Sequence, residues 1–288
     1  MSVARVTTLT YYPVKGLAGV SVERADVLAT GLRHDRSFML VDPADGSFLS
    51  QRTTPAMAPL RVEVLGEGEA LRLSADGADD LEVPVAYDGK RRDVSLFAKW
   101  FGVGVVQDAA ADEWFAERLG RPVALVRVTP EHERPGWGVH QGFTGFGDAH
   151  ALLITSLSSL DGLNERIVET GAETIPMNRF RANIVISGWP VAHTEDRVLR
   201  ASAGELEFGY AARAIRCAVP TVDQATGEKR GPEPTRTLAK YRRQPDYGGG
   251  VSFGMKAAVL TPGSVAAGDE ILVHDWLPEG TDPASVGR

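Results

Sequence analysis

Between Leu60 and Val85 the chain places three short apolar runs, Leu60–Val64, Leu71–Ser74 and Leu81–Val85, and separates them with glycine and aspartate. Turn formers at that spacing leave no room for a long helix and commit this stretch to a meander or barrel of short strands. The pattern extends in both directions. Val3–Tyr12 is rich in β-branched and aromatic residues and ends at Pro13, and Val20–Leu28 reads as a second strand. Ser37–Val41 and Ser47–Ser50 bracket D-P-A-D-G as a hairpin. Val123–Val128, Ala151–Thr155, Ile184–Gly188 and Val265–Val273 supply later strands.

Helical periodicity is confined to short stretches. Ser95–Phe101 predicts a helix capped by Ser95 and stopped at Gly102. Ala109–Leu119 predicts another, with Asp108 as N-cap and Trp114, Phe115 and Leu119 at helical spacing. Ser158 and Asp161 make a capping-box-like start for a third, which puts Leu160, Leu163 and Ile167 on one face and ends at Gly171. T-R-T-L-A-K-Y-R-R, from Thr235, is a basic short helix or turn. The expected fold class is a β-rich α+β protein with peripheral helices. At 288 residues the chain exceeds the usual size of one hydrophobic core. A boundary near Gly120 divides it into residues 1–120, 121–276 and a tail, 277–288. Thr129–His150, with Trp137, His140, Phe143 and Phe146, is a long loop that either faces a substrate or is a disordered connector.

A formal net charge of -7 argues against general nucleic-acid affinity, which needs a basic surface. A single cysteine excludes an internal disulfide, a zinc ribbon and an iron–sulfur cluster held by four thiolates. The N-terminal residues carry neither an apolar signal segment nor a transit pattern, and no run reaches the length of a membrane span. Cytoplasmic residence without membrane association is the expectation, and any electrons the chemistry needs come from outside the chain.

The single cysteine, Cys217, follows Arg213 and Arg216 and precedes Pro220, so it stands near the end of a strand beside a loop carrying Asp223. Neighbouring positive charge favours a thiolate, which is both nucleophile and metal ligand. Free cysteines are more often small core hydrophobes, and what turns the reading is a set of distant segments. Lys15 lies just past a strand end at Gly16, and Arg36 opens a strand beside Asp35. Thr155 and Ser156 stand where a buried strand meets a helix N-terminus, a place suited to anions. Alternation along Arg179–Asn183 puts Arg179, Arg181 and Asn183 on one face, and two guanidinium groups aimed together call for an anion between them.

Five segments together resemble the MOSC family: Y-P-V-K-G at Tyr12–Gly16, G-L-R-H-D-R-S-F-M-L at Gly31–Leu40, the strand-to-helix stretch Leu152–Asn164, N-R-F-R-A-N-I-V-I-S-G at Asn178–Gly188, and R-C-A-V-P-T-V-D-x-x-T-G at Arg216–Gly227. They cover nearly the whole chain in order. This is the group with an N-terminal MOSC β-barrel module followed by a MOSC β-barrel domain, and it includes the amidoxime-reducing components. The resemblance implies a molybdenum cofactor, with Cys217 as metal ligand and Lys15, Gly16, Arg36, Thr155, Ser156, Arg181 and Arg216 in contact with the pterin. Asp223 would position cofactor or substrate. It further implies reduction of N-hydroxylated substrates by electrons from a separate ferredoxin, flavodoxin or cytochrome. Pyridoxal phosphate binding enters as a family-level possibility. Gly16 stands where relatives have serine, and Pro220 where they have threonine. A sulfur-carrier role with a Cys217 persulfide and a non-catalytic cofactor-binding module are the alternatives.

Overall fold

The structure, a computed structural model, describes residues 3–278 and residue 281. Most of the expected tail, 277–288, lies outside the described residues; Leu277 is buried, its backbone N–H donating to the Arg197 carbonyl (2.8 Å).

Among the described residues the strands form four sheets. The largest runs in the order Leu272–Trp276, Val198–Ala203, Leu206–Arg216, Gly250–Thr261, Leu152–Ser156, Ile184–Ser187, Arg5–Tyr11 and Val20–Val22. Neighbours are antiparallel except Leu152–Ser156 beside Ile184–Ser187, where a helix makes the parallel crossover. Its last two strands come from the start of the chain, and Leu9 sits opposite Ile184. Gly263–Ala266 likewise pairs with Arg24–Leu28. Strand pairing therefore crosses residue 120, and one core joins Val6, Leu9 and Val27 to Ile184, Phe208 and Met255.

A second sheet holds Arg91–Leu96, Trp100–Val106, Ala124–Val128, Phe38–Val41 and Val14–Lys15. The meander expected after Leu60 is present as Arg61–Leu65, Ala70–Ser74 and Leu81–Pro84. Leu71 and Leu73 point inward against Phe115 and Leu125, as period-two alternation requires. The Ala109–Leu119 helix has the cap its sequence specifies: the Asp108 side chain accepts from the Ala110 N–H (2.8 Å), and Gly120 closes it at φ 65°. The whole is a β-rich α+β protein.

Several local expectations fail for stated reasons. Ser95–Phe101 is no helix: Arg91–Leu96 and Trp100–Val106 form a hairpin that turns through Phe97 and Ala98 at φ 57° and 51°. Burying Val94 and Leu96 on alternate positions outweighs the cap signal of Ser95. Ser47–Ser50 makes no ladder, because its backbone is shared between Leu40 on one side and Ser95 on the other. Val265–Val273 breaks into Gly263–Ala266 and Leu272–Trp276 around Gly268 at φ 91°. The helix after Leu152–Ser156 is capped by Ser156, not Ser158. Met177–Phe180 is a turn of 3-10 helix, so the alternation read along Arg179–Asn183 does not apply.

Candidate functional site

Cys217 follows directly on the Leu206–Arg216 strand, half-buried, on the wall of a cleft that encloses about 900 Å³ of space, its open mouth included. Six cations line this cleft, Lys15, Arg36, Arg52, Arg181, Arg216 and Lys256, against one carboxylate, Asp148. Each arrives from a different segment. Lys15 lies on the two-residue strand pairing with Met39, is 7% exposed, and forms an ion pair with Asp148. Burial lowers its pKa, and Asp148 opposes that drop.

Arg36 and Arg181 reach the cleft through strained backbone, at φ 48° and 58°. That left-handed region costs about 1 kcal/mol or more for a residue with a Cβ. Such strain persists only where the surroundings over-determine it. Here the Arg36 N–H is held by the Tyr12 carbonyl (2.6 Å) and its Nη1 by Asp35 (2.5 Å), while Arg181 Nη1 donates to Gln224 Oε1 (3.0 Å). Both guanidinium groups lie over the Tyr12 ring, at 4.7 and 4.2 Å, so an aromatic face sits where two cations converge. Burial lowers the Arg181 pKa to about 10, which leaves it a cation at neutral pH.

Arg216 donates to the Phe180 carbonyl (2.7 Å), and its Nε is buried without a partner, as is Arg181 Nη2. Arg118 Nε and Arg179 Nε are buried in the same way elsewhere, so what sets these two donors apart is that their side chains line a cavity crowded with cations. The Thr129–His150 segment is ordered by Arg134, whose guanidinium donates to the carbonyls of Gly145 (3.1 Å), Gly147 (2.6 Å) and Asp148 (2.5 Å). It delivers Gly147, Asp148, Ala149 and His150 to the wall of the cleft. Packing around Asp148 pushes its carboxyl up, but Lys15, Lys256 and Arg36 outweigh this and hold it below the usual range. Burial, with Lys256 adding to it, lowers His150 to about 4, so the ring is neutral at pH 7.

Of the residues singled out from sequence, Lys15, Gly16, Arg36, Arg181, Arg216 and Cys217 meet on this wall. Gly16 adopts φ 85°, its carbonyl accepts from Gln51 Nε2 (2.7 Å), and a Cβ there would stand 2.9 Å from Met57 Cε. Thr155, Ser156 and Asp223 are not on the wall. Thr155 is fully buried against Met177, and Ser156 Oγ donates to Glu195 Oε2 (2.8 Å). Asp223 accepts from the N–H groups of Ala225 (2.9 Å) and Thr226 (3.2 Å) and pairs with Arg179 (3.2 Å), which shapes the loop after the cysteine. Arg179 belongs to that pair, and Arg213 turns to Gln244 Oε1 (2.6 Å). Sequence reading passed over Lys256, whose signal is a lone charge inside V-S-F-G-M-K-A-A-V-L, and over Asp148 and Gln51, for which only the long loop gives a hint.

No cluster of three or more His, Cys, Asp or Glu side chains able to hold a metal occurs among the described residues. One soft thiol ringed by cations fits an anionic organic group that brings most of a metal's ligands with it. Structure and site thus define a β-rich protein with a cationic cleft built around a single thiol. The chain belongs to the MOSC family: residues 3–122 match the MOSC N-terminal beta barrel domain and residues 142–272 the MOSC domain. It is 31% identical to mitochondrial amidoxime-reducing component 1 of Homo sapiens, over 94% of this chain and 83% of that protein. The Mus musculus protein of the same name is 30% identical over 94% of this chain and 82% of its own length. A molybdenum cofactor sulfurase of Oryza sativa is 28% identical over 93% of this chain, which spans 34% of that protein.

Proposed function

We propose that this chain holds a molybdenum cofactor in the cleft and reduces N-hydroxylated compounds such as amidoximes, with electrons from a separate protein. The observation that carries the reading is the half-buried Cys217 thiol set among six cations, two of which keep buried N–H groups without partners. Cys217 would ligate the metal, and Lys15, Arg36, Arg181, Arg216 and Lys256 would hold the anionic pterin. Arginine forks suit phosphate oxygens, while the lysines act as point charges. When bound, the cofactor supplies a metal centre that takes up an oxygen atom and passes electron pairs. In the net reaction the N–O bond breaks, two electrons come from a ferredoxin, flavodoxin or cytochrome, two protons come from solvent, and the oxygen leaves as water.

Protein made in a cofactor-competent host should contain about one molybdenum per chain and reduce an amidoxime with an artificial donor. Cys217→Ala should lose metal and activity together. Full activity in that variant sinks the proposal. Absence of metal from the wild type, with a persulfide on Cys217 by mass spectrometry, transfers the reading to sulfur transfer.

A further inference from the structure

The mouth of the cleft differs in kind from its interior. Trp137, which contacts the cleft-lining His150 and Lys256, keeps 44% of its surface exposed. Gly138 adopts φ 111° and presses on the strand that leads to Cys217, so closely that a Cβ would fall 2.1 Å from the Ala211 carbonyl oxygen. Val139 and His140 donate to the carbonyls of Ala211 (3.0 Å) and Tyr210 (3.1 Å) of the same strand. The Trp137 carbonyl meets His150 Nε2 at 2.6 Å, and the two rings meet edge to face with centroids 4.9 Å apart. Tyr247 flanks the indole at 6.4 Å, tilted by 33°, and Lys256 Nζ lies 5.6 Å from its centroid. His150 and Lys256 line the cleft and Trp137 packs against both, so Trp137 and Tyr247, which are not themselves part of the lining, stand next to its wall.

A solitary exposed aromatic needs no explanation. An indole fixed by glycine contact and backbone hydrogen bonds, beside a second ring and at the edge of a charged cavity, is a stacking surface that loses little entropy when used. Resting on the reductase reading, we propose that Trp137, with Tyr247, is the specificity rim of this site, selecting N-hydroxylated substrates whose reacting group is attached to a flat aromatic body. The aromatic body stacks on the indole and the N–OH end reaches past His150 and Lys256.

The test compares benzamidoxime with acetamidoxime on cofactor-loaded protein, by steady-state reduction and by calorimetric binding. Trp137→Ala should raise the KM for benzamidoxime about three- to tenfold relative to that for acetamidoxime without a fall in kcat. Trp137→Phe should restore most of the ratio. Phe143→Ala, an equally exposed aromatic of the same loop at 43%, should leave the ratio unchanged. Equal changes for both substrates in Trp137→Ala, or none, overturn the rim. Wild-type protein that binds benzamidoxime in a Trp137-dependent manner but reduces neither compound overturns the reductase reading and leaves the rim standing. Protein that binds neither compound overturns the rim.

Discussion

Two places among the described residues gather buried charge on opposite terms. Beneath the helix Leu157–Val168, Glu195 and Asp196 are buried at 0% and 3% exposure. Glu195 accepts from Ser156 Oγ (2.8 Å) and Ser159 Oγ (2.7 Å), and Asp196 pairs with Arg242 at 2.5 Å. In the cleft, cations outnumber the single carboxylate six to one, and Arg181 and Arg216 keep donors without partners. Charge that is answered inside the chain serves the fold, and charge left over marks where a ligand belongs.

Three substitutions sharpen or break that contrast. Arg242→Met leaves Asp196 buried without its closest cation and should cost about 3–5 kcal/mol, read as a fall in the urea midpoint. A loss under 1 kcal/mol would mean that the acid cluster is not answered as described. Glu195 comes next. Burial, with Asp196 adding to it, pushes its pKa up to about 7 from the ordinary 4.5. The folded state therefore holds the proton more tightly than the unfolded chain, so this group's stabilisation is complete below about pH 4.5 and is lost as pH rises towards 7. Glu195→Gln should flatten the fall in stability across that window, on the order of 3 kcal/mol; an unchanged pH profile counts against it.

The smallest effect on stability belongs to the cleft. Arg181→Met removes a buried cation with an unanswered donor and should leave ligand-free protein within about 1 kcal/mol of wild type or slightly more stable, while molybdenum content falls at least tenfold. A large destabilisation without cofactor would show that Arg181 serves the fold after all.

The same contrast explains what the sequence disclosed. Lys15 and Cys217 stand out in the sequence because Gly16 beside one and Pro220 shortly after the other mark strand ends, whereas Arg36 is marked only by its neighbour Asp35. The sequence leaves the place of Thr155 and Ser156 open, because a strand running into a serine-rich helix looks identical whether the hydroxyls meet an anionic ligand or an internal carboxylate. Glu195, which decides the matter, is 39 residues from Ser156. Lys256 and Asp148 became visible only when the sheet brought distant segments together. Ser95–Phe101 shows the limit of local signals: a cap residue says nothing of the partner strand that captures the run.

The pairing of Leu9 with Ile184 has a consequence for how the chain is made. Every residue between them must be made before that pair can close, and until then the first strand has only Val20–Val22 along its other edge. A strand in that state can join another nascent chain as readily as its own. Pairing over so long a separation is slow to form, and the open edge of the first strand is the place where aggregation competes with it.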